Sequence, residues 1–144
     1  MSDTPKELAA QWFERVWNQK DGSAIVALLA PDGVGHTEGG SVTGPEQFEE
    51  LLHRPMLSAF PDIRLTVEGI VAEGNEAVVR WQASATHSGS FADIPPSGRP
   101  VTFSGMTWLR FENGKIVEGS DRYNLHSLIS YLSTGQVSAT VKAI

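Results

Sequence analysis

The sequence predicts an α+β fold: three N-terminal helices packed on a curved antiparallel sheet that encloses a pocket, with a short C-terminal helix. Three observations carry that expectation. Apolar residues recur at helical spacing as far as about residue 60, and from Pro61 onward the period drops to two. The strand-like runs that follow are separated by short turn signals, whereas a parallel sheet would need a helix between strands.

The first helix opens at Thr4, which has capping-box spacing to Glu7, with Pro5 at the first helical position. Leu8, Trp12, Phe13, Val16 and Trp17 form its apolar face, and "NQKDG" ends it. A second helix runs from about Ser23 to Ala30 and stops at "PDG". A third opens at "TGPEQF" with Phe48, Leu51 and Leu52 as its buried stripe; Pro55 should kink or divide it. Ile63, Leu65 and Val67 then alternate with polar residues. "EGNE" and "ENGK" are turns, "AVVRWQASATH", "VTFSGMTWLRF" and "IVEGSDRY" are strands, and Asn124 caps a last helix, "LHSLISYL". The tail, residues 134–144, reads equally as an added strand, a dimer arm or a frayed end.

Composition narrows the function classes. A chain of 144 residues, 40% hydrophobic and 19% charged, is read as one domain spanning residues 1–144. A net charge of −6, with no clustering of Lys and Arg, argues against nucleic acid and anionic membrane as partners. The absence of cysteine excludes disulfides and thiolate chemistry. No apolar run reaches the ~18 residues of a membrane span, and "MSDTPKELAA" is not a signal peptide, so the expected location is cytoplasmic.

Alternation assigns the polar residues to faces. Val79, Trp81, Ala83 and Ala85 share the inner row, and His87 continues it to the strand end. Val101, Phe103, Gly105, Thr107, Leu109 and Phe111 share another, with Met106 and Trp108 on the reverse face, where a homodimer contact is expected. In the last strand Val117, Gly119, Asp121 and Tyr123 lie together; if Val117 points inward, so does Asp121. An inward carboxylate has its charged form disfavoured and is a candidate general acid or base. A helix cap and an ion pair to Arg110 or to a neighbouring Arg122 are the structural alternatives. His36 and Glu38 sit in a Gly-rich loop or short strand that lines a cavity mouth or is simply solvated. His53 and His126 lack metal-ligand spacing, and no His/Asp/Glu set forms a metal site.

"FPDIRLTVEGIVAEGNEAVVRW", "ATHSGSF", "IPPSGRPVTFSG", "LRFENGKIVE" and "NLHSLISYLS" resemble successive motifs of the SnoaL-like polyketide cyclases, members of the cone-shaped NTF2-like superfamily. The resemblance spans about residues 5–133 and leaves the tail uncovered. It implies a cofactor-free enzyme that closes a ring in a hydrophobic polyketide ester by intramolecular aldol reaction, with Asp121 as acid/base and His87 as its polar partner in one pocket. His36, Glu38, Trp12, Phe13, Trp81, Phe103, Thr107 and Tyr123 are the residues expected to surround the substrate. The chain also departs from the pattern: a histidine that joins the aspartate in characterised cyclases falls on Thr107, and a glutamine falls on Gly105. Two other enzyme classes resemble it less. Ketosteroid isomerases place a tyrosine where Phe13 stands, leaving Glu38 or His36 as base, and the epoxide hydrolases need an Asp-Arg-Asp set that "DIR" and "LRFE" match poorly. A non-catalytic binding or dimerisation module is the third alternative, signalled by a cavity filled with Trp12, Phe13, Trp81 and Phe103.

Overall fold

The computed structural model describes residues 3–144. Helix α1, residues 5–18, begins with the expected capping box: Thr4 Oγ1 accepts from Glu7 N at 3.2 Å, and Glu7 Oε1 accepts from Thr4 N at 3.3 Å. A cap of this kind stabilises a helix by about 1 kcal/mol. Its second half, Trp12–Asn18, is π-wound, with Gln19 N bonding to Glu14 O at 2.8 Å. Trp12, Phe13, Val16 and Trp17 are all buried there. Helix α2 (Gly22–Leu28) ends two residues before expected, because Leu29 turns to extended backbone and begins a strand.

That strand, β1 (Leu29–Thr37), and β2 (Gly40–Thr43) are made by the stretch expected as a Gly-rich loop or short strand. Helix α3, residues 44–59, carries the Pro55 problem. Proline has no N–H and its ring crowds the carbonyl four residues back. The chain resolves this by π-winding Glu49–His53, so that Arg54 N bonds to Glu49 O and the helix passes through Pro55 undivided.

The remaining strands are β3 (Arg64–Glu73), β4 (Glu76–Thr86), β5 (Pro100–Glu112) and β6 (Lys115–Tyr123), followed by α4 (Leu125–Thr134) and β7 (Val141–Lys142). The seven strands form one open sheet in the order β2-β1-β6-β5-β4-β3, with β7 pairing onto β5. One pairing departs from the antiparallel expectation: β1 runs parallel to β6, with helix α3 and four strands between them in the chain. Helices α1 and α3 cover the inner face, where Val79, Trp81, Ala83, Val101, Phe103, Leu109 and Phe111 are buried as the alternation predicts. The tail supplies an added strand, placing buried Val141 against Phe103. Asn124 Oδ1 caps α4 through Ser127 N at 2.9 Å, which removes Asp121 from that duty.

Candidate active site

Asp121 reaches the inner face by a route that simple alternation misses. Arg110 pairs with Glu118 but Phe111 pairs with Ile116, so Val117 is an extra residue, a β-bulge that reverses the phase of β6. Ile116 is the buried residue at the start of the strand, and Gly119, Asp121 and Tyr123 follow on the inner face beyond the bulge. The premise that Val117 points inward is therefore corrected, while the placement of Asp121 stands.

Across the ladder Asp121 faces Thr107, and Tyr123 faces Gly105, which in turn faces Trp81. Thr107 Oγ1 donates to Asp121 Oδ1 at 2.6 Å and accepts from Trp81 Nε1 at 2.9 Å. An indole N–H can only donate, so the Thr107 hydroxyl proton must point at the carboxylate. Gly105 makes this possible: a Cβ there would lie 2.7 Å from Trp81 Cζ2 and 2.8 Å from Tyr123 Cβ. The indole therefore lies across the position and reaches the polar atom two residues on.

Burial pushes the Asp121 carboxyl above the ordinary carboxylate range, against the opposing pull of the Thr107 hydrogen bond and the Arg122 charge, with nearby Glu38 adding to the rise. No arginine clamps the carboxylate. Arg122 donates to the Asp121 backbone oxygen at 2.8 Å, and Arg110 bonds Glu118 and Glu112. Asp121 opens instead on a cavity of about 440 Å³ between the sheet and α1, α3 and the β1–β2 hairpin. The size is that of a small-molecule site. Its walls are apolar (Phe13, Trp17, Leu52, Met56, Phe103), with Asp121, Thr107 and Tyr123 grouped on the sheet side.

Six of the ten expected residues line this cavity: Asp121, Thr107, Tyr123, Phe13, Trp81 and Phe103. Trp12 lies deeper, edge-on to Phe48 at 5.1 Å, beside a small recess that also touches Thr107 and Asp121. His36 pairs with Ser120 on β6 and so turns to the outer face, where Nε2 meets Glu118 Oε2 at 2.8 Å. Glu118 is held below its usual range by that contact and then by Arg110. Glu38 is exposed and accepts from Tyr123 N at 3.4 Å, off the cavity but close enough to act on Asp121 by charge.

His87 is a correction. It continues the inner row of β4, yet it is fully buried beneath Phe60 and is not among the residues lining the cavity that holds Asp121. The β4–β5 connection folds back over it: Ser97 N donates to His87 Nδ1 at 3.1 Å, so the proton sits on Nε2, which has no hydrogen-bond partner among the described residues. Burial holds this imidazole below its ordinary pKa, and it stays neutral.

Sequence reasoning missed the part of the wall supplied by helices and loops: Leu51 and Met56 on α3, Thr37 and Val42 on the hairpin, and Phe91 on the β4–β5 connection. Helical spacing puts Leu51 in a buried stripe, but it is 59% exposed beside the cavity. A large apolar residue left open beside a polar-ended hollow would have been the signal, had its exposure been readable. The β4–β5 connection is tied down where Ser88 N and Gly89 N both donate to Ala59 O; a Cβ on Gly89 would lie 2.1 Å from Ser58 O, so only glycine fits.

Among the described residues, no three His, Asp or Glu side chains gather as metal ligands, and no helix is long and apolar enough to cross a membrane. Helices wrapped on a curved open sheet around an apolar hollow place the chain in the NTF2-like class of fold. The family model described as SnoaL-like polyketide cyclase matches residues 7–130, and the chain belongs to that family. Among similar solved structures is AclR of Streptomyces galilaeus, a proposed hydroxylase, 34% identical with a TM-score of 0.77, covering 89% of this chain and 94% of that one. IdmH of Streptomyces antibioticus, a proposed polyketide cyclase, is 28% identical with a TM-score of 0.79, covering 90% and 99%. A SnoaL-like protein of Jannaschia sp. CCS1 reaches a TM-score of 0.83 at 22% identity, covering 90% and 92%, a likeness of fold alone. Comparison with curated proteins gives no match.

Proposed function

We propose that the protein is a cofactor-independent acid/base enzyme that closes a ring in a hydrophobic, polyketide-like ketone by intramolecular aldol reaction, in the cytoplasm. The observation that carries this reading is the carboxylate of Asp121, facing an apolar cavity, hydrogen-bonded by Thr107 and in no ion pair among the described residues. Asp121 takes a proton from a methylene flanked by carbonyls, and the C–H electron pair passes to the carbonyl oxygen as an enolate. The enolate carbon attacks a second carbonyl of the same molecule, and the alkoxide that results takes the proton back from Asp121. Atoms and charge balance within the guest, so the reaction calls for no cofactor. A carboxyl raised by its surroundings is closer in basicity to such a carbon acid than a solvated one. The apolar walls hold the two reacting carbons together and keep water from the enolate.

Phe13, Trp81 and Phe103 line the hollow without filling it, which favours this reading over a scaffold with no turnover. Likeness to AclR favours one second reading, hydroxylation of the carbon that Asp121 deprotonates, with dioxygen as the oxidant and an external two-electron reductant carrying its second oxygen to water. Incubation with aromatic polyketide esters separates the two. Ring closure gives a product isomeric with the substrate or its dehydration product, whereas hydroxylation adds an oxygen atom. Asp121→Asn should abolish either, and undiminished turnover in that variant removes Asp121 from the mechanism. The reading includes a homodimer formed through the outer sheet face, where Met106 is 52% and Val78 is 39% exposed. A monomeric mass in solution would refute that part.

A further inference from the structure

We propose that Tyr123 is a second catalytic residue, its phenol donating a hydrogen bond to the carbonyl oxygen of the guest while Asp121 removes the neighbouring proton. The inference rests on the acid/base reading of Asp121 and deepens it, by naming the group that receives the charge Asp121 creates.

Position comes first. Tyr123 follows Asp121 by two residues on β6, so both side chains leave the same face of the strand, about 6–7 Å apart at their origins. A carbon acid and its carbonyl oxygen can bridge such a gap. The ring is fixed between Trp81 and Phe103, with centroids 6.0 Å and 5.7 Å away. Gly105 across the ladder leaves it room, since a Cβ there would lie 2.8 Å from Tyr123 Cβ. An aromatic ring packed on three sides presents its hydroxyl in one place, the preorganisation that stabilising a developing charge requires.

Availability comes second. Thr107 and Trp81 spend their polar hydrogens on Asp121 and on each other. The backbone N–H of Tyr123 bonds Glu38, but among the described residues the phenol oxygen makes no hydrogen bond, and Tyr123 is one of the residues lining the cavity. Among the described residues no protein group takes its proton, which is left for a guest.

State comes third. Burial first, then the charges of Asp121 and Glu38, push the phenol up to about 12, so it keeps its proton over the working range. It therefore donates a hydrogen bond and leaves proton abstraction to Asp121. As the enolate forms, its oxygen gains charge against this O–H, and the bond strengthens in the transition state relative to the ground state. No proton leaves Tyr123.

The test uses an aryl β-keto ester with no second carbonyl in reach, so that only enolisation is possible. Exchange of its methylene hydrogens in deuterated water is followed by NMR. Tyr123→Phe should lower kcat for exchange by about a hundredfold with KM little changed, and Asp121→Asn should abolish exchange. Loss in Asp121→Asn with full exchange in Tyr123→Phe would overturn the inference and leave the role of Asp121 intact. Exchange that survives Asp121→Asn would overturn the acid/base reading and the inference with it. Binding of 2-naphthol and of naphthalene gives a readout free of turnover. Tyr123→Phe should weaken 2-naphthol about tenfold and leave naphthalene unchanged; equal weakening of both would mark Tyr123 as wall alone and overturn the assignment.

Discussion

Replacing Thr107 by valine keeps the side-chain shape and removes the hydroxyl between Trp81 and Asp121. The hydroxyl donates to Asp121 Oδ1 at 2.6 Å, and a hydrogen bond to a charged group is worth about 1.5–3 kcal/mol. The bond favours the ionised form, so its loss raises the carboxyl pKa. At 1.36 kcal/mol per pKa unit the titration should move up by about one to two pH units. Activity that depends on the Asp121 carboxylate should therefore need a higher pH in Thr107→Val by the same displacement. The change also strands Trp81 Nε1–H, whose partner Thr107 Oγ1 lay 2.9 Å away, at a stability cost of about 1–3 kcal/mol. Thr107→Ser, which keeps the hydroxyl, should titrate nearly as the parent does. The assay is the carbon-13 carboxyl shift of Asp121 followed against pH, which needs no substrate. A midpoint that stays put or falls in Thr107→Val would refute the claim that this hydroxyl holds the carboxylate charged.

Three further outcomes follow from the same geometry. Because burial raises Asp121 in the fold, the native state holds that proton more tightly than the unfolded chain, and stability falls as pH rises from the ordinary carboxylate value to the raised one. Asp121→Asn should thus be inactive yet more resistant to denaturant at about pH 8, with the advantage gone near pH 3. Gly105→Ala would set a Cβ 2.5 Å from the Arg122 backbone oxygen, which cannot swing aside, so a loss of about 1–3 kcal/mol in chemical unfolding is expected. His87 is buried neutral with its folded pKa lowered, so its contribution is present above about pH 6.5 and is lost as pH falls through the folded value. His87→Gln should shrink the acid-side slope of stability and leave methylene exchange by the folded protein in place.

What the sequence makes legible is what period two encodes. Trp81, Phe103 and Thr107 are on the inner face because strand alternation admits one alternative only, and a slip of one residue would bury Arg80, Gln82 and Ser104. The bulge at Val117 hides from that logic, since nothing in "GKIVEGSD" says which residue is extra until Phe111 is seen opposite Ile116. His87 obeys alternation and still misleads, because facing inward does not say whether a cavity or a packed helix end lies above. What covers it is a loop tied to Ala59, a contact across nearly thirty residues of chain. His36 fails for a different reason: its direction depends on a parallel pairing with β6 that local pattern cannot announce.

The departures from the family pattern make sense together. Threonine where the resemblance places histidine, and glycine where it places glutamine, look in sequence like support removed from the acid. In the fold the missing side chain at 105 admits the Trp81 indole, and the indole N–H fixes the hydroxyl at 107 so that it donates to Asp121. If the three residues work as one unit, Trp81 and Thr107 must couple in stability, while the Asp121 titration follows Thr107 alone. Trp81→Phe alone should move it little, since Thr107 still donates; Thr107→Val should move it most; the double variant should match Thr107→Val. In stability the double variant should recover part of the Thr107→Val loss, because removing the indole N–H removes the stranded donor. Stability losses that simply sum would mean three neighbours that happen to touch.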